Sequence, residues 1–151
     1  MSEAVRRRAL DYLQQHRVMT LATQGPHGIW AAALFYVNYA FTLYFLSAGH
    51  TRHARNLAAA PRAAATIQEE YEDWPEIKGI QLEGVVEVLA DAAREEAERR
   101  YREKYPFLAA ADPSIQEALS RMNWYRLTPD RLYFIDNSRG LGHRDEVALF
   151  S

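Results

Sequence analysis

The sequence predicts a mainly β domain, a small barrel of short strands with helices inserted between them. Three observations carry that reading. Six or seven runs rich in branched and aromatic residues are bounded by turn signals such as "QGPHG" at 24–28 and "YEDWPE" at 71–76. Segments with helical periodicity and helix-end chemistry, at 51–60, 91–105 and 112–122, lie between some of these runs. The 151 residues suit a single domain over 1–151, and a chain near this size buries about 68–70% of its unfolded surface.

In chain order, residues 3–15 set Val5, Leu10 and Leu13 among charged neighbours, as a short amphipathic helix does. "RVMTLAT" at 17–23 reads as a strand that ends at the "QGPHG" turn. "IWAAALFYVN" at 29–38 is the next strand. "YA" connects it to "FTLYFLSAG" at 41–49, and the three are expected to form an antiparallel meander. Thr51 caps a helix that Pro61 stops, and "RAAATIQEE" at 62–70 returns to strand. "IKGIQLEGVVEVLA" at 77–90 is a long strand with Ile80, Leu82 and Val86 on one face. Gly84 in its middle marks a bulge or the close approach of another backbone.

From Asp91, read as a cap, a helix runs to Pro106 with Glu95 and Glu96 early and Arg and Lys late, as the helix dipole favours. Asp112 caps a further helix with Pro113 at its first position. "NWYRLTPDRLYFIDN" at 123–137 reads as two short strands about a proline turn, and the tail as partly extended.

Composition excludes several classes. The formal net charge of -2 provides no basic field for nucleic acid. With no cysteine there is no disulfide framework, thiolate metal site or cysteine nucleophile. The N-terminal "MSEAVRRRALDYLQQHRVMTLAT" has neither an unbroken apolar core nor a small-residue cleavage site. No run reaches the roughly 18 apolar residues of a membrane span. A soluble, cytoplasmic protein with no membrane or nucleic-acid partner is expected.

The helix from 51 breaks the dipole rule that the helix from 91 obeys. His50, Arg52, His53 and Arg55 crowd its start, and no acid lies nearby. Each misplaced charge costs roughly 0.3–1 kcal/mol at an exposed site. A bound phosphate or carboxylate resolves the conflict, because free N–H groups, the dipole and cationic side chains all favour an anion there. Arg52 can fork two bonds to a phosphate. The competing reading is a solvated basic face.

Other chemistry is thin. The five histidines show no metal-ligand spacing, so no metal is expected. There is no G-x-G-x-x-G or G-x-S-x-G motif. The aromatic residues, Trp30, Phe35 and Trp124 among them, read mainly as core and surface, with a few at strand ends able to wall a flat ring.

The order of "IWAAALFYV", "LSAGHTRHARNLAAAPRAAATI", "IKGIQLEGVVEVL" and "YRLTPDRLYFIDN" resembles the pyridoxamine 5'-phosphate oxidase-like, FMN-binding split-barrel superfamily. "HTRHA" at 50–54, "IKGIQLEG" at 77–84 and "FIDNSRGLGHR" at 134–144 are similar to its short bacterial branch of uncharacterised YhbP-like proteins. The likeness spans nearly the whole chain and is weakest over 91–121.

The resemblance implies a six-stranded antiparallel split β-barrel of Greek-key type with peripheral helices. It implies a homodimer holding FMN in grooves at its interface, with the cofactor supplying oxidoreductase chemistry on an unidentified small molecule. The family's hydroxyl–Arg–Lys phosphate cluster falls on Ser47, Thr51, Arg52 and His53, with histidine replacing the usual lysine. A phosphate beside His53 would favour its protonated form. Ala32, Ala33, Leu34 and Phe35 match the strand beside the isoalloxazine ring, and Gln81 matches a position that bonds the ring or ribityl chain. Trp124 and Asn137 match a wall supplied by the other subunit, although Asn137 equally suits a turn.

The oxidases of vitamin B6 are longer and end in a substrate-binding Arg/His segment. This chain ends in "SRGLGHRDEVALFS", whose Arg139, His143 and Arg144 face either an anionic substrate or solvent. Vitamin B6 oxidation is therefore not expected. The alternatives are a deazaflavin, haem with His143 or His50 as axial ligand, or a flavin-carrying dimer without catalysis. No catalytic acid or base stands out.

Overall fold

The computed structural model describes residues 3–150. Four helices, α1 (Glu3–Gln15), α2 (Arg52–Ala59), α3 (Asp91–Lys104) and α4 (Pro113–Ser120), accompany eight strands. The strands are β1 (Val18–Gly25), β2 (Gly28–Phe35), β3 (Val37–Tyr39), β4 (Thr42–Ser47), β5 (Arg62–Ile67), β6 (Lys78–Val88), β7 (Asn123–Asp136) and β8 (Arg144–Glu146). They form one antiparallel sheet in the order β2-β1-β5-β6-β7-β4-β3, with β8 paired to β7. The sheet curls into the half-barrel of a split-barrel fold, with eight strands rather than six.

The difference in count has a local cause. The run at 29–38, expected as one strand, breaks at Tyr36. β2 pairs with β1 at one edge of the sheet, and β3 pairs with β4 at the other. One residue joins the two edges, so the sheet has to curl. Tyr36 is fully buried, its N–H donates to Arg17 O at 2.9 Å, and its hydroxyl donates to Leu13 O at 2.6 Å. The expected three-strand meander therefore does not form, because β4 pairs with β7 instead of β2.

β7 also departs from expectation. It is one 14-residue strand that runs through Pro129, not two strands about a turn. Proline lacks the N–H that a ladder needs. The ladder accommodates it by shifting register between Glu83 and Gly84, where Gly84 faces Pro129 and Asp130 is left out of the pairing. Gly84 is the bulge partner that its position in the sequence indicated. A Cβ there would meet the Thr128 carbonyl oxygen and lie 2.7 Å from Pro129 Cα. Asp130 turns outward to an exposed ion pair with Arg62.

The strands alternate buried and exposed positions, and the inward side chains form the core. Met19, Leu21, Leu43, Phe45, Leu127 and Leu132 are all fully buried, each worth roughly 1.5–3 kcal/mol against exposure. α1 closes one end with Val5, Ala9, Tyr12 and Leu13, while Leu10 packs at the margin. A second cluster under α3 joins Tyr101, Tyr105 and Trp124. Asp112 caps α4 through Ile115 N–H as expected. Asp91 does not cap α3: the cap position is Ala90, with no side-chain bond, and Asp91 sits within the first turn at φ 53°.

Gly84→Ala should lower stability by about 1–3 kcal/mol, the usual cost of forcing extra volume into a packed site. Urea unfolding of the variant measures this, and an unchanged midpoint would refute the close approach.

Candidate functional site

α2 begins as the sequence suggests. The Thr51 side chain accepts from Ala54 N–H at 3.2 Å and donates to Ala48 O at 3.1 Å. Helix geometry leaves the Arg52 and His53 N–H groups without intrahelical partners, and the first turn holds no acid. The N-terminus of α2 therefore keeps its full preference for an anion.

Behind it lies a hydroxyl–imidazole network. Ser47 Oγ, at the end of β4, is 2.7 Å from His53 Nε2 and 3.0 Å from Thr51 Oγ1, and it donates to Ala48 O. The hydroxyl protons of Thr51 and Ser47 both go to Ala48 O, so neutral His53 completes the set by donating from Nε2. Its ring is only 8% exposed, and burial lowers its pKa. His53 thus turns inward and braces the start of α2 through Ser47.

Arg52 takes the opposite course. Its guanidinium lies 4.4 Å from the centre of the Trp30 ring, and Nη2 donates to His27 O at 3.1 Å. Its Nε is buried without a hydrogen-bond partner among the described residues. Stacking on an aromatic face and a fork of donors are the geometry in which arginine holds phosphate. Trp30 belongs to β2, the edge strand, whose outer backbone groups pair with nothing in the sheet. β2 is apolar yet open: Ile29 is 75% exposed, Trp30 43% and Phe35 41%. The basic helix start and a bare apolar strand edge thus meet at Arg52 and Trp30.

This fold and site have relatives. A profile of the family described as Pyridoxamine 5'-phosphate oxidase matches residues 5–136. The chain belongs to that family. A UPF0306 protein of Photorhabdus laumondii, plu4501, is 30% identical over 135 residues, 88% of each chain. Among solved structures, the conserved hypothetical protein Rv2991 of Mycobacterium tuberculosis superposes with a TM-score of 0.75 at 24% identity, covering 95% of this chain and 90% of its own. HutZ of Vibrio cholerae, described as a haem storage protein, superposes with a TM-score of 0.70 at 18% identity, covering 85% of this chain and 92% of its own.

The residues matched to the family's cofactor site fall into three groups. Ser47, Thr51, Arg52 and His53 are together at the start of α2, although only Thr51 and Arg52 face outward. Ala32, Ala33, Leu34 and Phe35 lie on β2, with Phe35 stacked 5.3 Å from Tyr105. Gln81 is exposed on β6 and accepts from Arg144 Nη1 at 3.3 Å, and Arg144 in turn lies over Tyr133.

The last two matched residues make contacts within the chain. Trp124 is 2% exposed and packs edge-on against Tyr101 in the core. Asn137 ties the turn after β7 together, donating to Trp74 O and accepting from Gly142 N–H. The roles of Trp30 and His27 were not foreseen. The one clue was an aromatic residue flanking the strand matched to the flavin.

Because burial lowers its pKa, His53 is neutral in the fold at a pH where an unfolded histidine is charged. Its contribution is intact above the ordinary value of 6.5 and is lost as pH falls below it. His53→Gln should flatten the decline in stability on acidification below pH 6.5, read by urea unfolding at stepped pH.

Proposed function

We propose that this protein binds FMN, with the phosphate at the start of α2 and the ring along β2, and works as a flavin-dependent oxidoreductase on a small molecule in the cytoplasm. The observation that carries the reading is Arg52. It is an arginine at an acid-free helix N-terminus, stacked on Trp30, with a buried Nε that nothing among the described residues satisfies. The residues suit a phosphate: two free N–H groups, the dipole and one guanidinium converge there. His53 supplies no direct charge in this arrangement, so more of the anchoring falls on Arg52 than in relatives with lysine. When bound, the flavin would carry hydride or electrons, while the chain sets its position and excludes water.

The reading includes a second copy of the chain. β2 is an unpaired edge strand with an apolar outward face, which proteins normally cover. A two-fold contact of that face would bury Ile29 and close the groove beside Arg52. Ile29→Lys should convert dimer to monomer, measured by light scattering during size exclusion. A wild-type protein that runs as a monomer would refute the dimer.

Haem is the second reading, favoured by the likeness to the haem storage protein HutZ. It requires an axial ligand. His143 Nε2 is engaged by Asp145 at 3.0 Å, while His50 is exposed on the turn before α2.

An absorption spectrum after adding FMN and removing the excess separates the two readings. Flavin bands at about one per chain support the first, and a Soret band after haem addition with no retained flavin supports the second. Arg52→Ala should weaken FMN binding by roughly ten-fold or more, the worth of a hydrogen bond to a charged group. Its circular dichroism should be unchanged. Wild-type flavin affinity in that variant would overturn the phosphate assignment.

A further inference from the structure

We propose that the flavin site continues past the phosphate into a second compartment that takes the adenylate half of FAD. This rests on the flavin reading above and extends it. The compartment is a cleft of about 350 Å3 between the β1–β2 turn and the outer face of α2, lined by Pro26, His27, Arg52, Arg55, Asn56 and Ala59.

Its chemistry selects an anion with a flat apolar body. Two guanidinium groups and an imidazole line it, and no carboxylate does. The Arg55 side chain is exposed and makes no hydrogen bond or ion pair among the described residues, its backbone N–H alone donating to Thr51 O at 3.0 Å. Among the described residues no side-chain contact offsets this base in the first turns of α2, so an anion would suit Arg55 as it suits Arg52. The two are one helical step of three apart and therefore share a face. Arg52 belongs to both compartments: its N–H opens α2, while its side chain reaches across the cleft mouth to His27 O and leaves Nε unpaired. A pyrophosphate spanning Arg52 and Arg55 would place one phosphate at the helix start and the next in the cleft.

The walls suit the remainder of a nucleotide. Pro26, Ala59 and the aliphatic stems of the two arginines provide apolar surface below the charged heads. The volume lies at the low end of the roughly 300–1,000 Å3 of small-ligand sites, enough for half of a dinucleotide.

The floor is rigid. Asn56 is 4% exposed, its amide donates to Thr23 Oγ1 at 3.1 Å, and its side chain occupies the space a Cβ at Gly25 would need. The cleft is thus preorganised between a hairpin turn and a helix that are locked to each other.

The test is a titration of the full chain with FMN, FAD and ADP, comparing wild type with Arg55→Ala and following flavin fluorescence or heat. FAD should bind at least ten-fold more tightly than FMN. Arg55→Ala should bring FAD down to the FMN level and leave FMN unchanged, with circular dichroism unaltered. If FMN binds and FAD binds no more tightly, or if Arg55→Ala weakens both equally, the second compartment is refuted and the flavin reading stands. ADP binding as tightly as FAD would make a free nucleotide the occupant and would also overturn the proposal. If neither flavin binds, both readings fall.

Discussion

Tyr36 is the constraint on which the rest of this molecule depends. It alone separates β2 from β3, and those strands lie at opposite ends of the sheet order. A flat sheet of seven strands would hold its edges about 28 Å apart, given strand spacings near 4.7 Å. One residue spans at most about 3.6 Å, so the sheet has to curl. The bonds of Tyr36 hold that closure: its backbone to Arg17, its hydroxyl to Leu13, and its carbonyl to the Tyr105 hydroxyl. Lys104 lies 4.3 Å from the centre of its ring, with a pKa pushed down to about 8, chiefly by burial. Helices α1 and α3 thereby report to the one residue that closes the barrel.

Closure also explains why β2 stays bare. Its inner neighbour is β1, and on its other side the chain has already crossed to the far edge. An open apolar edge is a hazard in most proteins. Here it adjoins the basic start of α2, so an apolar strand edge and a cluster of bases share one surface. Phe35 at one end of the strand rests on Tyr105, and Trp30 at the other carries Arg52. Side chains thus fix the strand at both ends, while its outer edge pairs with no other strand among the described residues.

The bases of α2 divide by direction. His53 turns inward, loses charge through burial and supports the cap network with Ser47. Arg52 and Arg55 turn outward at the end of the helix where the dipole disfavours a base. Stability alone would not select that arrangement, since acids at the same positions would help the helix. Function at a cost to local stability is the usual reason a chain breaks one local rule while it obeys the others.

Much of this was legible along the chain. Thr51 and Asp112 cap their helices, Gly84 marks its bulge, and the run of bases at 50–55 points to an anion, because these signals act within three or four residues of themselves. Family membership was also legible, through the order of several short motifs. The split of 29–38 between two edges was not, nor was the passage of β7 through Pro129 opposite Gly84. Strand pairing and burial depend on residues far apart in sequence. For the same reason, the burial of Trp124, the inward turn of His53 and the stack of Arg52 on Trp30 left no local trace. The sequence by itself determined the helices, the caps at Thr51 and Asp112 and the charge at α2. Only the tertiary structure decided which bases turn inward and which outward, because direction is set by what packs behind each side chain.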